Sequence, residues 1–216
     1  MTAADHDDEL REVAELLRRA PLRAASPPPS IAEAAAAAGL LDVAYATLDS
    51  PVGRLLLART EVGLVRLAYV DGGADEAVLA DIAARVSPRL LAAPRSLDEP
   101  RRELDEYFAG RRRDFEVTLD MRLMTAFTRR VLTATAAIPY GEVSTYREVA
   151  VRAGSPRGSR AAGNALGANP LPIIVPCHRV LHSGGGLGGY TGGLERKRTL
   201  LAIERGQLTL PGGDRG

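Results

Sequence analysis

At 216 residues, of which 45% are hydrophobic, the chain is long enough to bury the core of one or two domains. Its single cysteine excludes an internal disulfide, and with only three histidines there is no four-ligand zinc cluster. No apolar run reaches about 18 residues, and the acidic start MTAADHDDEL lacks the apolar segment of a secretory signal. We therefore expect a cytoplasmic protein without a metal or a membrane anchor.

The formal net charge of +1 hides an uneven distribution along the chain. Residues 1–120 hold 15 Arg against 22 Asp and Glu, whereas residues 121–216 hold 13 Arg and Lys against 5 acidic residues. A basic half fits a polyanionic partner such as nucleic acid. Arginines that only keep a surface soluble would produce the same count, so the charge alone leaves both explanations open.

The first 40 residues are predicted to be an extension. Residues 8–19 have the spacing of a short amphipathic helix, and the sequence SPPPS at 26–30 is typical of a linker. The alanine run at 32–38 favours a helix but offers little surface to pack. None of these features indicates a function.

From about residue 42 the pattern changes to that of β-strands. Glycine-containing turns separate successive β-rich runs, which predicts an antiparallel meander. Helical spacing with acidic residues near each start follows, and then a further strand. The predicted strands are 43–50, 53–60, 63–70 and about Phe115–Leu119, and the predicted helices are 74–85 and 98–109. Together they predict a small α+β domain over residues 41–122, which has no concentrated set of catalytic residue types.

Residues 123–206 are predicted to form a mainly helical second domain. Thr125 or Thr128 can cap its first helix, and Ser144 can cap the second, which ends near Gly154. A third helix over about 159–166 follows after a few residues, which gives a helix-turn-helix outline.

The third helix of this domain has an unusual composition. One face has almost no side-chain volume, which allows close approach either to DNA or to another helix. The helix is also too poor in polar groups to read base edges, so any DNA contact would have little sequence specificity. The small residues are Ala161, Ala162, Gly163, Ala165 and Gly167, and the flanking arginines are Arg157 and Arg160.

The only cysteine lies in the segment NPLPIIVPCHRV, residues 169–180. Its three prolines fix φ and remove backbone donors, which predicts a rigid, extended loop. The loop places the thiol of Cys177 beside an imidazole and a guanidinium, and cationic neighbours lower the pKa of a thiol towards the reactive thiolate. A lone cysteine is often an inert core residue, but the prolines and the triplet Cys-His-Arg favour a nucleophile.

A glycine-rich segment and a last helix follow. The glycines at 182–194 bracket Tyr190 and Thr191, which is typical of a loop that approaches a ligand or of a plain flexible loop. The segment is not a dinucleotide fingerprint, because it does not follow a strand and open a βαβ unit. The last helix, about 194–204, ends near Glu204, where a carboxylate opposes the helix dipole and suggests an imidazole partner. Residues 207–216 are expected to be a frayed tail.

With these motifs assembled, the chain resembles the O6-alkylguanine-DNA alkyltransferases, also called methylated-DNA–protein-cysteine methyltransferases. The resemblance covers about 42–206 and is densest where RAAGNALGANPLP, PCHRV and GGYTGGLERKRTLLAIE stand at the family's spacing. It implies an α+β fold with a ribonuclease H-like antiparallel-sheet domain and a winged helix-turn-helix-like domain. It also implies DNA repair by single-turnover, irreversible transfer of the O6-alkyl group of guanine, and by extension the O4-methyl group of thymine. The acceptor would be a cysteine, without any cofactor, in a monomer acting on double-stranded DNA.

The resemblance implies catalytic roles for five residues. Cys177 would be the nucleophile and alkyl acceptor, and His178 and Glu204 would draw its proton away through a water molecule. The target nucleotide would be flipped out of the duplex, because its O6 cannot be reached inside the base stack. Tyr146 would crowd the phosphate of that nucleotide and donate a proton towards the purine, and Asn169 would brace the active-site turn.

The resemblance also implies a DNA surface and a substrate pocket. Arg160 corresponds to the finger that fills the gap left by the flipped base. Arg179 is expected to be structural and to tie the active-site turn to the first domain. Further DNA contacts are implied at Arg157, Gly158, Ser159 and Ser183. The pocket would consist of Leu166, Pro172, Val180, Tyr190, Thr191 and Lys197, with the backbone of Cys177 and Val180 reading the guanine edge and the Thr191 amide near O6.

Two departures from the family pattern and three alternative functions remain. Gly167 stands where some members have a basic residue, and Thr191 stands where many have serine. A non-enzymatic lesion-binding relative would lack the cysteine, and a winged-helix transcription regulator would need a recognition helix richer in polar groups. A thiol hydrolase could use Cys177 and His178, but it would leave the helix-turn-helix and the basic half unexplained.

Overall fold

The computed structural model describes residues 31–207 of the chain, apart from the side chain of Glu33. The predicted helix at 8–19, the linker at 26–30 and the tail beyond residue 207 therefore lie outside the described residues. Within the described part of the chain, no helix is long and apolar enough to cross a membrane.

A four-stranded sheet forms the first half of the fold. Its strands are β1 (Val43–Ser50), β2 (Gly53–Arg59), β3 (Leu64–Tyr69) and β4 (Leu90–Ala92), in the spatial order β3-β2-β1-β4. The first three strands pair antiparallel, which confirms the predicted meander, whereas β4 runs parallel to β1. A strand of three residues is too short to show alternation, which is why sequence patterning did not find it.

Both faces of this sheet are covered, which explains the unbroken apolar run of β2. Leu55 and Leu57 point to a large core, and Leu56 and Ala58 point to a smaller one on the other face. Among the described residues, the α-helices of this half are α1 (Ile31–Ala37), α2 (Asp75–Arg85) and α3 (Asp98–Phe108). Helix α2 contributes Ile82 to the smaller core, and α3 contributes Leu104, Tyr107 and Phe108 to the larger one. In α1, buried Ala32 packs with Ala44 and Ala93.

The strand predicted near Phe115–Leu119 does not form. Leu119 makes only an isolated parallel bridge with Leu64, formed by the Thr118 carbonyl and the Asp120 amide on either side of it. The buried carboxylate of Glu103 instead holds the segment, accepting a hydrogen bond of 2.9 Å from the Glu116 amide. Aromatic residues and alternation predicted a strand, but here the backbone amide of the segment is bonded to a side chain rather than to a neighbouring strand.

Four helices and a short parallel ribbon form the second half. The helices are α4 (Ala126–Ala136), α5 (Tyr146–Arg152), α6 (Ser159–Gly167) and α7 (Leu194–Glu204), and the ribbon pairs β5 (Ser144–Thr145) with β6 (Val180–Leu181). Thr125 caps α4, as predicted. The predicted cap of α5 is wrong by one residue: Thr145 and Glu148 form a capping box, and Ser144 belongs to β5.

One hydrophobic core runs from α3 into the second half. Leu104 and Phe108 of α3 belong to the same buried cluster as Leu200 and Ile203 of α7. This continuity fixes the position of α7, which carries Glu204 and Lys197, relative to the sheet. The predicted boundary between residues 122 and 123 stays a prediction.

Candidate active site

Cys177 opens a 3₁₀ turn, Cys177–Arg179, at the end of the proline-rich segment. The preceding chain is a compact turn rather than the extended loop predicted from its prolines, with the Val175 amide donating to the Leu171 carbonyl at 2.9 Å. Ile173 has φ of 74°, a conformation that β-branched residues rarely adopt. The fold therefore holds a strained backbone four residues before the thiol, and the cysteine is only 6% exposed.

Asn169 holds this turn together. Its side-chain oxygen accepts from the Leu171 amide at 3.0 Å, and its Nδ2 donates to the Val175 carbonyl at 3.0 Å. The same Nδ2 lies 3.2 Å from Cys177 Sγ. One buried amide thus fixes the backbone of the turn and offers a hydrogen bond to the sulfur.

His178 and Glu204 form a buried pair. Nε2 of His178 lies 2.8 Å from Glu204 Oε1, and Nδ1 is buried without a partner among the described residues. Burial lowers the pKa of His178, although the Glu204 carboxylate acts in the opposite direction. An ionised carboxylate can only accept a hydrogen bond, so the neutral imidazole carries its proton on Nε2. Nδ1 is then the basic nitrogen of the ring.

Glu204 is the centre of a buried hydrogen-bond network. Arg179 Nε donates to both carboxylate oxygens, at 3.1 and 2.9 Å, and Tyr107 Oη donates to Oε1 at 2.7 Å. Burial raises the pKa of Glu204, but the hydrogen bonds from His178 and Arg179 outweigh it and lower the pKa to about 2. The carboxylate therefore stays ionised beside Nε2 of the His178 ring.

Arg179 was expected to tie the active-site turn to the first domain. Its hydrogen bonds show that this expectation is wrong. They go to Glu204 and to the Ile138 carbonyl, at 2.6 Å for the latter, and both partners lie in the second half of the chain. Tyr107 of α3 makes the link to the first half. No sequence pattern marks Tyr107 for this role, because a buried tyrosine in a helix resembles any other core residue.

The thiol and Lys197 influence each other. Burial raises the pKa of Cys177, and the Asn169 hydrogen bond and the charge of Lys197 act in the opposite direction. Burial lowers the pKa of Lys197 to about 8. Its Nζ donates to the carbonyls of Val180 (2.6 Å), Leu187 and Gly189 (3.4 Å), so this ammonium anchors the glycine-rich loop beside the thiol.

A cavity of about 720 Å³ opens at the thiol. Seven of the predicted site residues line it: Tyr146, Ser159, Arg160, Leu166, Cys177, Tyr190 and Thr191. Sequence reasoning placed Gly163 and Gly167 only on the small face of the helix. The residues that complete the lining and were not assigned to the pocket are Gly163, Asn164, Gly167, His182 and Gly189. The ring of His182 lies 5.1 Å from that of Tyr146, between centroids, at the mouth of the cavity. A histidine in a glycine-rich segment has no sequence pattern that would predict its place in the cavity lining.

Pro172, Val180 and Lys197 were predicted to form the pocket, but none of the three is among the residues that line the cavity. Pro172 is engaged in the compact turn, where it bridges Val175, and Val180 pairs with Ser144 in the β5–β6 ribbon. Lys197 is fully buried with its ammonium on backbone carbonyls. These three residues lie behind the wall and support it.

The remaining predicted DNA contacts are on the surface near the cavity. Arg157 and Gly158 precede α6, and Ser183 lies in the tight turn in which the His182 amide donates to the Gly186 carbonyl at 2.8 Å. Arg157 and Ser183 are exposed, as is Arg160. On α6, Ala162 and Ala165 are buried in the core, so the small residues serve helix packing on one side and an open surface on the other.

The glycine-rich loop approaches side chains of the protein itself. A Cβ on Gly188 would lie 2.6 Å from Tyr146 Oη, and a Cβ on Gly192 would lie 2.5 Å from the Tyr69 ring. Tyr146 Oη also donates to the Gly189 carbonyl at 3.4 Å. The glycines are needed because two tyrosines, one from each half of the fold, press against the loop.

Models of one family match most of the chain. Residues 43–121 match the ribonuclease-like domain of 6-O-methylguanine DNA methyltransferase, and residues 126–206 match its DNA binding domain.

Curated relatives and solved structures agree with this match. A methylated-DNA–protein-cysteine methyltransferase of Mycolicibacterium paratuberculosis is 42% identical over 163 residues, which cover 76% of this chain and 93% of the relative. The Homo sapiens protein of that name is 37% identical, covering 77% of this chain and 82% of its own. The crystal structure of Mycobacterium tuberculosis OGT in complex with DNA has a TM-score of 0.66 at 40% identity, covering 76% and 94% of the two chains. The resemblance predicted from the sequence is confirmed: the chain belongs to the 6-O-methylguanine DNA methyltransferase family.

Proposed function

We propose that this protein repairs DNA by direct damage reversal, transferring the alkyl group from O6 of guanine to Cys177 in a single turnover. The observation that carries the proposal is that Cys177 lines a cavity large enough for a base, with His178 following it in the same turn. Family membership and the DNA complex of the Mycobacterium tuberculosis relative support DNA as the partner.

The buried network activates the thiol. Nδ1 of His178 takes the thiol proton through a bridging water molecule, and the imidazolium that forms is stabilised by Glu204. Arg179 and Tyr107 keep Glu204 ionised and aligned through their hydrogen bonds. The Asn169 amide and the ammonium of Lys197 stabilise the thiolate, since both lower the pKa of Cys177 against the effect of burial.

The transfer step balances its electrons and protons. The thiolate attacks the alkyl carbon, an S–C bond forms, and the O6–C bond breaks with its electron pair passing to the purine. Tyr146 lines the same cavity and donates a proton to the departing guanine. Burial raises the pKa of Tyr146, so its hydroxyl keeps the proton that it has to donate. The proton that His178 took from the thiol replaces the one that Tyr146 gave to guanine. No cofactor enters the step.

The surface around the cavity supplies the DNA contacts. Arg160 lines the cavity mouth and is exposed, which suits a side chain that enters the duplex in place of the flipped base. Arg157, Gly158, Ser159 and Ser183 surround it and contact the backbone. The small residues on the open side of α6 permit this approach with little sequence specificity.

The pocket holds the flipped guanine between Tyr190 and the helix α6 residues. Leu166 and Thr191 shape the sides, and the backbone at Cys177 reads the base edge. Thymine alkylated at O4 also carries its alkyl group on an exocyclic ring oxygen, with thymine as the leaving group, and we include it in the substrate class. We place the activity in the cytoplasm, in a monomer.

The lesion-binding protein and the transcription regulator explain the site less well. A protein that only binds the lesion has no use for a thiol activated by a buried histidine and glutamate. A transcription regulator would not need a cavity beside its helix-turn-helix.

Intact mass spectrometry tests the proposal. After incubation with duplex DNA containing O6-methylguanine, the protein should gain the mass of one methylene group, once per molecule, and peptide mapping should place it on Cys177. An unchanged mass under conditions where the Mycobacterium tuberculosis relative is fully alkylated would refute it.

A further inference from the structure

Tyr190, a wall of the cavity, is held from outside the cavity by the first half of the chain. Tyr69 is the last residue of strand β3, and its hydroxyl lies 2.8 Å from the Tyr190 hydroxyl. The two rings meet edge to face, with centroids 6.2 Å apart and planes at 66°. The other side of Tyr190 faces the His178 ring, at 6.5 Å and 88°. The wall is therefore fixed on one side by the proton relay and on the other by the sheet.

Tyr69 is itself locked in place. The guanidinium of Arg196 stacks on its ring at 4.5 Å and donates to the Gly192 carbonyl at 2.7 Å and the Val52 carbonyl at 2.6 Å. Arg196 also forms an ion pair with Asp71, whose other oxygen accepts from the Arg54 amide at 3.0 Å. This chain of contacts connects the β2–β3 edge of the sheet to the loop that carries Tyr190.

The space around Tyr69 is filled. Gly192 has no side chain where the Tyr69 and Tyr190 rings pass, since a Cβ there would lie 2.5 Å from one ring and 2.9 Å from the other. Both tyrosines keep their protons, because burial raises the pKa of each. A phenol pair at 2.8 Å in such surroundings is a directional contact and restricts the tilt of the Tyr190 ring.

We propose that Tyr69 is a positioning residue that acts through Tyr190 and sets the width of the alkyl pocket. It does not touch the cavity itself. With its hydroxyl in place, the wall stands at a fixed tilt that suits a small alkyl group. Without it, Tyr190 can lean away from Cys177 and admit a larger group. The inference rests on the proposed function for its biological meaning, but the width of the pocket can be measured on the thiol alone.

The experiment compares small and large electrophiles at Cys177. Rates of alkylation are measured with iodoacetamide and with the bulkier N-benzyliodoacetamide, and then with O6-methylguanine duplex and free O6-benzylguanine. The variants are Tyr69→Phe, Tyr190→Phe and the double variant. Tyr45→Phe is the matched control, since Tyr45 lies on β1 of the same sheet and packs against the other core.

Tyr69→Phe should raise the ratio of the benzyl to the small-reagent rate about fivefold, the effect of losing one hydrogen bond. The double variant should match the larger single effect, because both substitutions delete the same contact. Tyr45→Phe should leave the ratio unchanged. A ratio for Tyr69→Phe within about twofold of wild type, or effects that multiply in the double variant, would overturn the inference.

The two reagent pairs separate this inference from the proposed function. A changed iodoacetamide ratio with no transfer from methylated DNA would uphold the role of Tyr69 and refute repair. Normal repair together with an unchanged iodoacetamide ratio would support the proposed function and refute the role of Tyr69. Thermal unfolding of each variant shows whether a rate change reflects unfolded protein, because unfolding would expose the buried thiol and raise the rates of both reagents.

Discussion

Tyr107 of α3 donates a 2.7 Å hydrogen bond to Glu204 of α7, and this contact joins the two halves of the chain inside the proposed proton relay. The tyrosine is fully buried, and its hydroxyl also lies 3.5 Å from His178 Nε2. Burial and the neighbouring Glu204 charge raise the pKa of Tyr107, so it always donates. The relay is thus assembled from both halves of the fold.

Tyr107→Phe should lower the free energy of unfolding by about 2 kcal/mol, the typical contribution of a hydrogen bond to a buried charge. It should also slow alkylation of Cys177, because Glu204 loses one of the donors that align it. Urea unfolding and the rate with O6-methylguanine duplex measure the two effects. Phe115→Leu, which changes the same aromatic cluster without touching Glu204, is the control for packing. Equal loss of rate in both variants would contradict a role in alignment.

Cys177→Ala should abolish the mass gain completely while preserving the fold and binding to lesion DNA. The side chain lost is small, and Asn169, the side chain that donates to it, keeps its contact with the Val175 carbonyl. Mass spectrometry and a DNA-binding titration with methylated duplex check both halves of the prediction. Loss of folding together with binding would mean that the cysteine is mainly structural.

Asn169→Ala should shift the pH–rate profile of thiol alkylation to higher pH. The Asn169 hydrogen bond lowers the pKa of Cys177, so removing it raises that pKa further and leaves less thiolate at neutral pH. Iodoacetamide rates across pH give the profile. Asn164→Ala is the control, because Asn164 lines the same cavity but has no described contact with the sulfur. A profile that falls in rate without moving along the pH axis would argue against the electrostatic role.

Acid should remove the stability that Glu204 contributes. Its folded-state pKa of about 2 lies below the ordinary value of 4.5, so the contribution is fully present above about pH 4.5 and is lost as the pH falls towards about 2. The shift corresponds to roughly 3 kcal/mol at neutral pH. The difference in unfolding free energy between wild type and Glu204→Gln should shrink across that window. A difference independent of pH would show that the ionised form has no special stability.

Arg160→Ala should reduce repair of methylated duplex at least about tenfold while leaving reaction with free O6-benzylguanine nearly unchanged, because a free base needs no unstacking. Arg102→Ala removes the same charge from an exposed position on α3 and controls for net charge. Rates with the two substrates distinguish the roles. Equal losses on both would exclude a finger that acts on the duplex.

Local patterns predicted most of the fold. The three meander strands and the helices from residue 74 onward were predicted to within a few residues, because alternation, helical spacing and caps are local signals. Strand β4 and the ribbon β5–β6 were not found, because strands this short depend on a partner distant in sequence. The strand near Phe115 failed for the converse reason, since Glu103 supplies its backbone partner.

Motifs in the sequence indicated the residues of the candidate site, but not the residues behind them that hold them in place. Cys177, Arg160, Tyr146 and Tyr190 line one cavity, and the roles that the family resemblance implies for them stay predictions. Tyr107 and Tyr69 were missed, because each is an ordinary aromatic residue of the first half whose function arises only from what the fold places beside it. Sequence patterns identify the reacting groups more easily than the distant side chains that orient them.

The burial of Lys197 also gives the protein a built-in conformational reporter. Lys197 is the only lysine of the chain, and its ammonium is enclosed by backbone carbonyls. An amine reagent should therefore label a native molecule only at its N-terminus, and a second label should appear only when the loop carrying Tyr190 opens. Counting labels by mass would follow the opening of the pocket in wild-type protein, before and after alkylation, without any engineered probe.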